Sequence, residues 1–266
     1  MIIKIKHESH YALEVAARRA VQYLRLTPRN DRNQRVLHWS VTGPESLKQW
    51  TDGFGNIVHI ATENAEHHDL KIIVEGEIET KDTAGVLKLD DGLPPIMFLR
   101  ETPLTEVSPE LEAFSQNYTN IREEQGDISF LHELMNGLAN EITYVSGVSD
   151  VTSNAADVFE SKKGVCQDFA HLYIAACRVH NVPCRYISGY ITNGIGEPAS
   201  HAWAEAYIHN FGWISMDPSN RQSATESYVR LAIGYDYSCA APIIGVRTGG
   251  YGEKLNIDVQ VSQKQE

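Results

Sequence analysis

A strand pattern in the last third of the chain restricts the fold most. Residues 201–207 alternate strictly between alanine and four larger side chains, His201, Trp203, Glu205 and Tyr207. A period of two predicts a β-strand with two different faces. The run from residue 213 to Asp217 predicts a second strand, which ends at a carboxylate just before Pro218. This part of the chain is therefore expected to form an antiparallel hairpin.

The parity of the positions decides which side chains can meet across this hairpin. Residues that face each other on antiparallel strands have position numbers with a constant sum, so His201 and Asp217 share a face only when that sum is even. Asp217 opposite Trp203 satisfies this condition and places the carboxylate diagonal to His201, within reach of its ring. The prediction is a three-residue loop, 209–211, or a bulge that corrects the register.

A helix predicted over residues 166–180 precedes the hairpin and begins at a cysteine. Its apolar side chains fall on one face, and Cys166 shares that face. The N-terminus of a helix favours a thiolate, which is the nucleophilic form of cysteine. Cys166 as nucleophile, His201 as general base and Asp217 as the group that orients the imidazole therefore occur in the order of a catalytic triad.

The rest of the chain divides into a strand-rich part and a helical part. Strands are predicted at residues 2–6, 21–26, 34–42, 57–62 and 70–80, so residues 1–84 form an all-β module. Four prolines between residues 94 and 109 mark a linker at 85–108, and residues 109–266 form the catalytic domain. In that domain, Ser108 is expected to cap a helix that begins at Pro109, and Asp127 to cap a helix over 128–142. Strands are also predicted at 185–192 and 255–261, so the fold class is α+β.

Composition excludes several classes of function. With 23 basic and 35 acidic side chains the net charge is −12, and there is no Lys or Arg run longer than a pair, so we expect no nucleic-acid partner. The sequence contains no uninterrupted apolar stretch of about 18 residues and no signal-peptide pattern, so we expect no membrane partner and a cytoplasmic location. Neither a CxxC pair nor an HExxH motif is present, so we expect no metal and no cofactor.

The four cysteines are expected to stay free, as thiols do in a reducing compartment. We interpret Cys177 and Cys184 as core residues, and Asp168 as a helix cap and not an acid. His171 and His180 are expected to cap the helix or to reach solvent, and Trp203 and Tyr207 to be cleft walls or core packing.

Four ordered blocks of sequence resemble the bacterial transglutaminase-like proteins, which are often labelled as candidate cysteine proteases. They are GVCQDFAHL at 164–172, NVPCRYISGY at 181–190, SHAWAE at 200–205 and GWISMDPSN at 212–220. Residues 24–29, 52–56 and 234–245 extend the resemblance to nearly the whole chain. It implies a papain/transglutaminase-like core, a helix bundle packed on an antiparallel sheet, in which Cys166, His201 and Asp217 form the triad. Tyr235 stands where that family is expected to have Arg, and Ser219 where Thr is more usual.

The predicted chemistry is attack of Cys166 on an amide to give a thioester acyl-enzyme. The Cys166 backbone N–H is one expected oxyanion donor, and the second is not identified by the sequence. Transfer of the acyl group to water gives a protease, amidase or isopeptidase, whereas transfer to an amine gives a transglutaminase. Hydrolysis is favoured, because water is always available and there is no calcium loop of the animal transglutaminase kind.

A non-catalytic module that binds peptides is the remaining alternative, and it predicts an eroded triad. The expected partner is a peptide, a protein or a small amide-containing substrate. The sequence determines neither which of these is the physiological substrate nor the oligomeric state.

Overall fold

Two large sheets, a small two-stranded sheet and a layer of helices make up the protein in the computed structural model, which describes residues 1–88, 91–192 and 200–264. The strands are β1 Ile2–Thr27, β2 Gln34–Thr42, β3 Ser46–Thr51, β4 Ile57–Glu63, β5 His67–Thr80, β6 Val86–Leu87, β7 Thr143–Tyr144, β8 Lys163–Gly164, β9 Cys184–Ile191, β10 Ser200–Ile208, β11 Gly212–Met216, β12 Tyr228–Gly234 and β13 Ile243–Gln263. The α-helices are α1 Pro109–Gln116, α2 Thr119–Gln125, α3 Asp127–Glu141, α4 Ala155–Ser161, α5 Cys166–Val179 and α6 Tyr237–Ala240. This mixture confirms the predicted α+β class.

The first sheet is organised by the long strand β1. One edge of β1 pairs with β5 and then with β4, while its other edge pairs with β13 from Ile3 to Leu24. The sequence analysis predicted only the two ends of β1 as separate strands. The intervening residues stay extended because β13 supplies hydrogen-bond partners along nearly their whole length. The strand β3 was not predicted, because its six residues are mainly polar and exposed.

The second sheet has the strand order β12-β9-β10-β11-β6 and carries the helices on one face. The alanines of β10, Ala202, Ala204 and Ala206, are buried there with the apolar side chains of α3 and α5. Small side chains allow a helix to pack close to the strand. The alternation that predicted the strand therefore also marks the face on which the helices lie.

The helix termini agree in part with the predictions. Ser108 accepts a hydrogen bond from the Leu111 backbone N–H at the start of α1, which confirms it as an N-cap. Asp127 is not a cap, contrary to the prediction. Gly126, with φ of 89°, precedes α3, and Asp127 is the first helical residue and pairs with Arg122 at 2.7 Å.

Each large sheet contains a strand from outside the domain that was predicted to form it. The predicted strand at 255–261 is part of β13, which belongs to the first sheet and not to the sheet of the helical part. In the predicted linker, β6 pairs with β11 in the second sheet. The two sheets also share a hydrophobic cluster, in which Tyr190, Val229 and Leu231 from the second sheet meet the apolar face of the first.

None of the helices described is long and apolar enough to cross a membrane.

Candidate active site

The nucleophile candidate lies at the first position of α5. The Asp168 carboxylate accepts hydrogen bonds from the Val165 backbone N–H at 2.8 Å and from the Ser149 hydroxyl at 2.5 Å. This confirms the prediction that Asp168 caps the helix. A Cβ at Gly164 would lie 2.8 Å from the Asp168 Cβ, so glycine is needed for this close approach. The start of the helix, and with it Cys166, is fixed by local contacts.

The hairpin of β10 and β11 has the predicted register. Glu205 lies opposite Ser215 and Ile208 opposite Gly212, which leaves residues 209–211 as a three-residue loop. The left-handed conformations of Asn210 (φ 71°) and Gly212 (φ 97°) close this loop. The pairing extends as far as Ala204 opposite Met216. The same register continued by one residue places Asp217 opposite Trp203, and its carboxylate reaches His201.

The structure brings Cys166, His201 and Asp217 together. The His201 Nε2 atom lies 2.6 Å from the Asp217 Oδ2 atom, and Cys166 lines the same cleft as His201. Because Nε2 is bonded to the carboxylate, Nδ1 is the ring nitrogen left for the thiol. A strand, a strand end and a helix N-terminus each supply one side chain.

Asp217 is completely buried and is held by donors on both carboxylate oxygens. Besides His201, Oδ2 accepts from the Asn220 side-chain amide at 2.7 Å and from the Tyr228 hydroxyl at 2.7 Å, while Oδ1 accepts from the Ser219 hydroxyl at 2.7 Å. Burial alone would raise the pKa of Asp217, but its hydrogen bond and charge interaction with His201 lower the pKa overall. The carboxylate therefore stays ionised and fixed in orientation.

His201 carries a proton over a wide pH range. Burial acts to lower its pKa, but the hydrogen bond to Asp217 and the interactions with Asp217 and Cys166 outweigh burial and raise the pKa to about 10. A protonated imidazole beside a thiol stabilises the thiolate. The arrangement combines a cysteine at a helix start with an imidazole that a buried carboxylate orients.

Two tyrosines near the triad were not identified by the sequence analysis. Tyr228 begins β12, and its hydroxyl holds Asp217 and accepts from the Gln222 amide at 2.8 Å. Tyr144 lies on β7 opposite Gly164, two residues before Cys166, and burial raises its pKa. Both residues reach the site from distant parts of the chain, so no sequence motif marks them.

The sequence left open whether Trp203 and Tyr207 are cleft walls or packing residues, and their contacts decide between the two. Trp203 is 2% exposed, with its ring 6.1 Å from the His201 ring and edge-on to Tyr228. Tyr207 packs edge-on against Trp213. Neither residue lines the cleft at Cys166, so both are packing residues and not cleft walls.

The remaining thiols and helix histidines lie away from the triad. Cys177 and Cys184 are fully buried, as predicted for core residues. His171 does not reach solvent: it is fully buried, accepts from the Tyr237 backbone N–H at 3.1 Å, and has its pKa lowered by burial to about 4. His180 caps α5, with Nε2 3.0 Å from the Ser115 carbonyl.

A cleft of about 230 Å³ opens at Cys166 and His201, and it is walled on the opposite side by residues of β1 and β13. In the described parts of the chain, no group of three or more His, Cys, Asp or Glu residues is arranged to hold a metal ion.

Comparison with known proteins gives matches over both parts of the chain. Residues 113–218 match the transglutaminase-like superfamily core, and residues 3–79 match the bacterial transglutaminase-like N-terminal region. The uncharacterized protein ML0607 of Mycobacterium leprae is 26% identical over 98% of both chains. The uncharacterized protein Rv2569c of Mycobacterium tuberculosis is 27% identical over 89% of this chain and 84% of its own.

A solved structure has the same fold. The crystal structure of a "Putative Cysteine Protease" from Cytophaga hutchinsonii superposes with a TM-score of 0.77, covering 98% of this chain and 90% of the other at 22% identity. This similarity extends over both sheets and the helical layer.

Proposed function

We propose that this protein, whose chain joins a transglutaminase-like core to a bacterial transglutaminase-like N-terminal region, hydrolyses amide bonds as a cysteine protease, amidase or isopeptidase. The observation that carries the proposal is the position of His201, which is hydrogen-bonded to the buried Asp217 carboxylate and lines one cleft with Cys166. A base placed between a nucleophile and an orienting carboxylate is the requirement for nucleophilic catalysis by a thiol.

Acylation uses the thiolate–imidazolium pair. The Cys166 thiolate attacks the amide carbonyl carbon, a C–S bond forms, and the carbonyl oxygen becomes an oxyanion. The oxyanion collapses, the C–N bond breaks, and the His201 imidazolium transfers its proton to the leaving amine. The products are a free amine, a neutral His201 and a thioester on Cys166.

Deacylation reverses these roles with water as the nucleophile. Neutral His201 takes a proton from water while the oxygen attacks the thioester carbonyl. The C–S bond then breaks, the carboxylic acid leaves, and the thiolate–imidazolium pair is restored. Asp217 keeps Nε2 in place and stabilises the imidazolium in both half-reactions.

Two groups are placed to stabilise the oxyanion. The Cys166 backbone N–H lies at the start of α5, where no helical carbonyl accepts from it. Tyr144 lies on β7 opposite Gly164, two residues before Cys166, and we assign its phenol O–H as the second donor.

Acyl transfer to an amine is the second candidate, favoured by the match to the transglutaminase-like core. It shares the thioester intermediate, and an amine takes the place of water in the second step. Peptides and proteins are the expected substrates in both cases. The proposal includes a cytoplasmic setting, in which the four free cysteines stay reduced.

The test is alkylation and turnover by the wild type and by Cys166→Ala. Iodoacetamide is expected to alkylate Cys166 of the wild type at neutral pH much faster than Cys177, and a library of peptide amides to yield cleaved products only with the wild type. Cys239→Ala serves as the matched control and should behave as the wild type. Mass analysis of products formed with and without added methylamine separates hydrolysis from transfer. Alkylation of Cys166 no faster than of Cys177 contradicts the proposal.

A further inference from the structure

The cleft beside Cys166 has one wall that belongs to the other sheet. Cys166 and His201 lie on the helical side, and the other side includes residues of β1 and β13, among them His7, Ser9, Tyr11, Leu255 and Ile257. A substrate whose carbonyl reaches Cys166 must therefore contact the first sheet. The chemistry of this wall determines which substrates fit.

Two polar residues interrupt an otherwise apolar face of β1. Ile3 and Ile5 are buried on this face, and His7 and Ser9 follow at 3% and 1% exposure. Their neighbours on the flanking strands are valine and isoleucine: Val74, Ile72, Val259 and Ile257. Buried polar groups in apolar surroundings destabilise a fold unless they are hydrogen-bonded, so His7 and Ser9 need specific partners.

These partners form a chain of hydrogen bonds that ends at the cleft. The Tyr190 hydroxyl of β9 lies 2.7 Å from His7 Nδ1, and His7 Nε2 lies 2.9 Å from the Ser9 hydroxyl oxygen. Burial lowers the pKa of His7 to about 4, with Asp258 opposing, so the ring is neutral at neutral pH and has a single N–H. When Tyr190 donates to Nδ1, the Nε2–H donates to Ser9, and the Ser9 O–H is left to donate into the cleft.

Next to Ser9 the apolar face of the sheet continues into the cleft. Leu255 and Ile257 alternate in step with the buried Val259 and Val261, but they are 47% and 54% exposed. None of the described residues that line the cleft is Asp, Glu, Lys or Arg. An uncharged wall with exposed aliphatic side chains favours an apolar group and disfavours a charged one, which would lose hydration without gaining a partner.

We infer that this wall is a substrate subsite that binds an apolar side chain next to the amide under attack, while the Ser9 hydroxyl, oriented by His7 and Tyr190, donates to a substrate carbonyl. The inference rests on the proposed function, because it places a peptide substrate in the cleft. Its occupant is the substrate itself, since the same cavity contains Cys166 and His201.

The test uses three peptidyl vinyl sulfones that differ in one side chain next to the electrophile, which is Leu, Glu or Lys. The measured quantity is the second-order rate constant for alkylation of Cys166. Wild-type protein is expected to react at least about tenfold faster with the Leu reagent than with the Glu reagent, as apolar pockets discriminate. Ile257→Asp is expected to lower the Leu rate about tenfold and to make Lys the preferred reagent.

Val246→Asp is the matched control. Val246 lies on the same strand, is 70% exposed and does not line the cleft, so its substitution adds the same charge elsewhere on β13. It is expected to leave all three rate constants unchanged. Equal profiles for Ile257→Asp and Val246→Asp overturn the subsite.

Ser9→Ala tests the hydrogen bond separately. It removes one donor, so the rate constants for all three reagents are expected to fall about three- to tenfold, as for loss of a single neutral hydrogen bond. The iodoacetamide rate is expected to stay that of the wild type, since this reagent has no peptide backbone. Unchanged peptidyl rates in Ser9→Ala contradict the assigned role of Ser9.

Iodoacetamide also distinguishes failure of the proposed function from failure of the subsite. A slow reaction of wild-type Cys166 with iodoacetamide contradicts the proposed function itself. A fast reaction with iodoacetamide together with equal rates for the Leu, Glu and Lys reagents leaves the nucleophile intact and overturns only the subsite.

Discussion

The charge state of one histidine governs the chemistry at the residue scale. His201 lies between the Cys166 thiol and the Asp217 carboxylate, and its raised pKa of about 10 reflects both neighbours. Asp217 in turn is ionised because hydrogen bonds and the imidazolium charge outweigh the effect of burial on its pKa. The imidazolium of His201 and the carboxylate of Asp217 each stay charged because the opposite charge lies next to them.

A pH dependence follows from these two shifts. The raised pKa of His201 keeps the imidazole protonated below about pH 10, and the lowered pKa of Asp217 keeps the carboxylate charged above its ordinary 3.8. The rate constant for alkylation of Cys166 by iodoacetamide is therefore expected to vary little between about pH 6 and 9. For the thiol of an unstructured peptide, this rate constant rises about tenfold for each pH unit in the lower part of this range.

Asp217→Asn is the variant that tests the role of the carboxylate in this prediction. A neutral amide cannot balance the imidazolium charge, so the pKa of His201 is expected to fall, and kcat for peptide amides to fall by about 10²- to 10⁴-fold. Titration of His201 by NMR and stopped-flow alkylation measure both effects. A pH profile of the wild type that matches the model thiol contradicts the assigned ion pair.

Tyr144 gives a second prediction at this scale. Tyr144→Phe removes one of the two donors assigned to the oxyanion, so kcat is expected to fall about 10²-fold with little change in KM. The iodoacetamide rate is expected to stay constant, because that reaction forms no oxyanion. Tyr251→Phe, at a tyrosine that is 73% exposed and outside the cleft, is the matched control. An unchanged kcat in Tyr144→Phe removes Tyr144 from the mechanism.

At the scale of elements, the hairpin of β10 and β11 depends on a glycine of the neighbouring strand. Gly189 of β9 lies opposite His201, and the Trp203 ring packs over it. A Cβ at Gly189 would lie 2.1 Å from the Val229 carbonyl oxygen and 2.6 Å from the Trp203 ring. The backbone of β12 and the ring that packs beside His201 both occupy the space that a side chain would need.

Gly189→Ala is therefore expected to destabilise the protein by about 1–3 kcal/mol, the usual range for overpacking in a core. Urea denaturation measures the change in the free energy of unfolding. Gly53→Ala is the matched control, since a Cβ at Gly53 has no atom within 4 Å, and its effect is expected to stay within about 0.5 kcal/mol. Equal stabilities of the two variants contradict the assigned packing.

At the scale of the whole molecule, the two sheets are joined by buried polar contacts as well as by the shared apolar cluster. The Asn56 side chain bonds to both the N–H and the carbonyl of Ile233, at 2.9 and 2.8 Å, and the Gln34 side chain does the same at Arg230. Arg230 also pairs with Asp31 of the first part of the chain and with the buried Glu205 of β10. The strand β12 is thus bound on its open side by the N-terminal region.

These contacts predict one cooperative unfolding transition and not two. Asn56→Ala leaves a buried N–H and a buried carbonyl without partners, so it is expected to cost about 2–3 kcal/mol. Circular dichroism and Trp fluorescence should report the same midpoint in the wild type and in the variant. Asn256→Ala, at an exposed position of β13, is expected to change stability by less than about 0.5 kcal/mol. Separate midpoints for the two probes contradict a single unit.

The local order of the chain was sufficient to predict the parts of the site that depend on short-range geometry. Parity along residues 201–217 predicted the register that lets Asp217 reach the face of His201, because side chains on a strand alternate with a fixed period. The position of Cys166 followed from a helix start that is capped by Asp168, two residues after Cys166. The catalytic roles of these three residues stay predictions, while the family resemblance is confirmed by matches to both parts of the chain.

The contacts that complete the site were decided only by the tertiary structure. Tyr144, Tyr228 and the wall of β1 and β13 are separated from Cys166 by tens of residues, and pairing of distant strands has no periodic signal in the sequence. The same reason explains why β1 was predicted as two short strands: its central residues are extended because β13, more than two hundred residues later, pairs with them. The sequence by itself determined the triad candidates and their hairpin, whereas the fold determined which surfaces enclose them, because enclosure depends on contacts between remote segments.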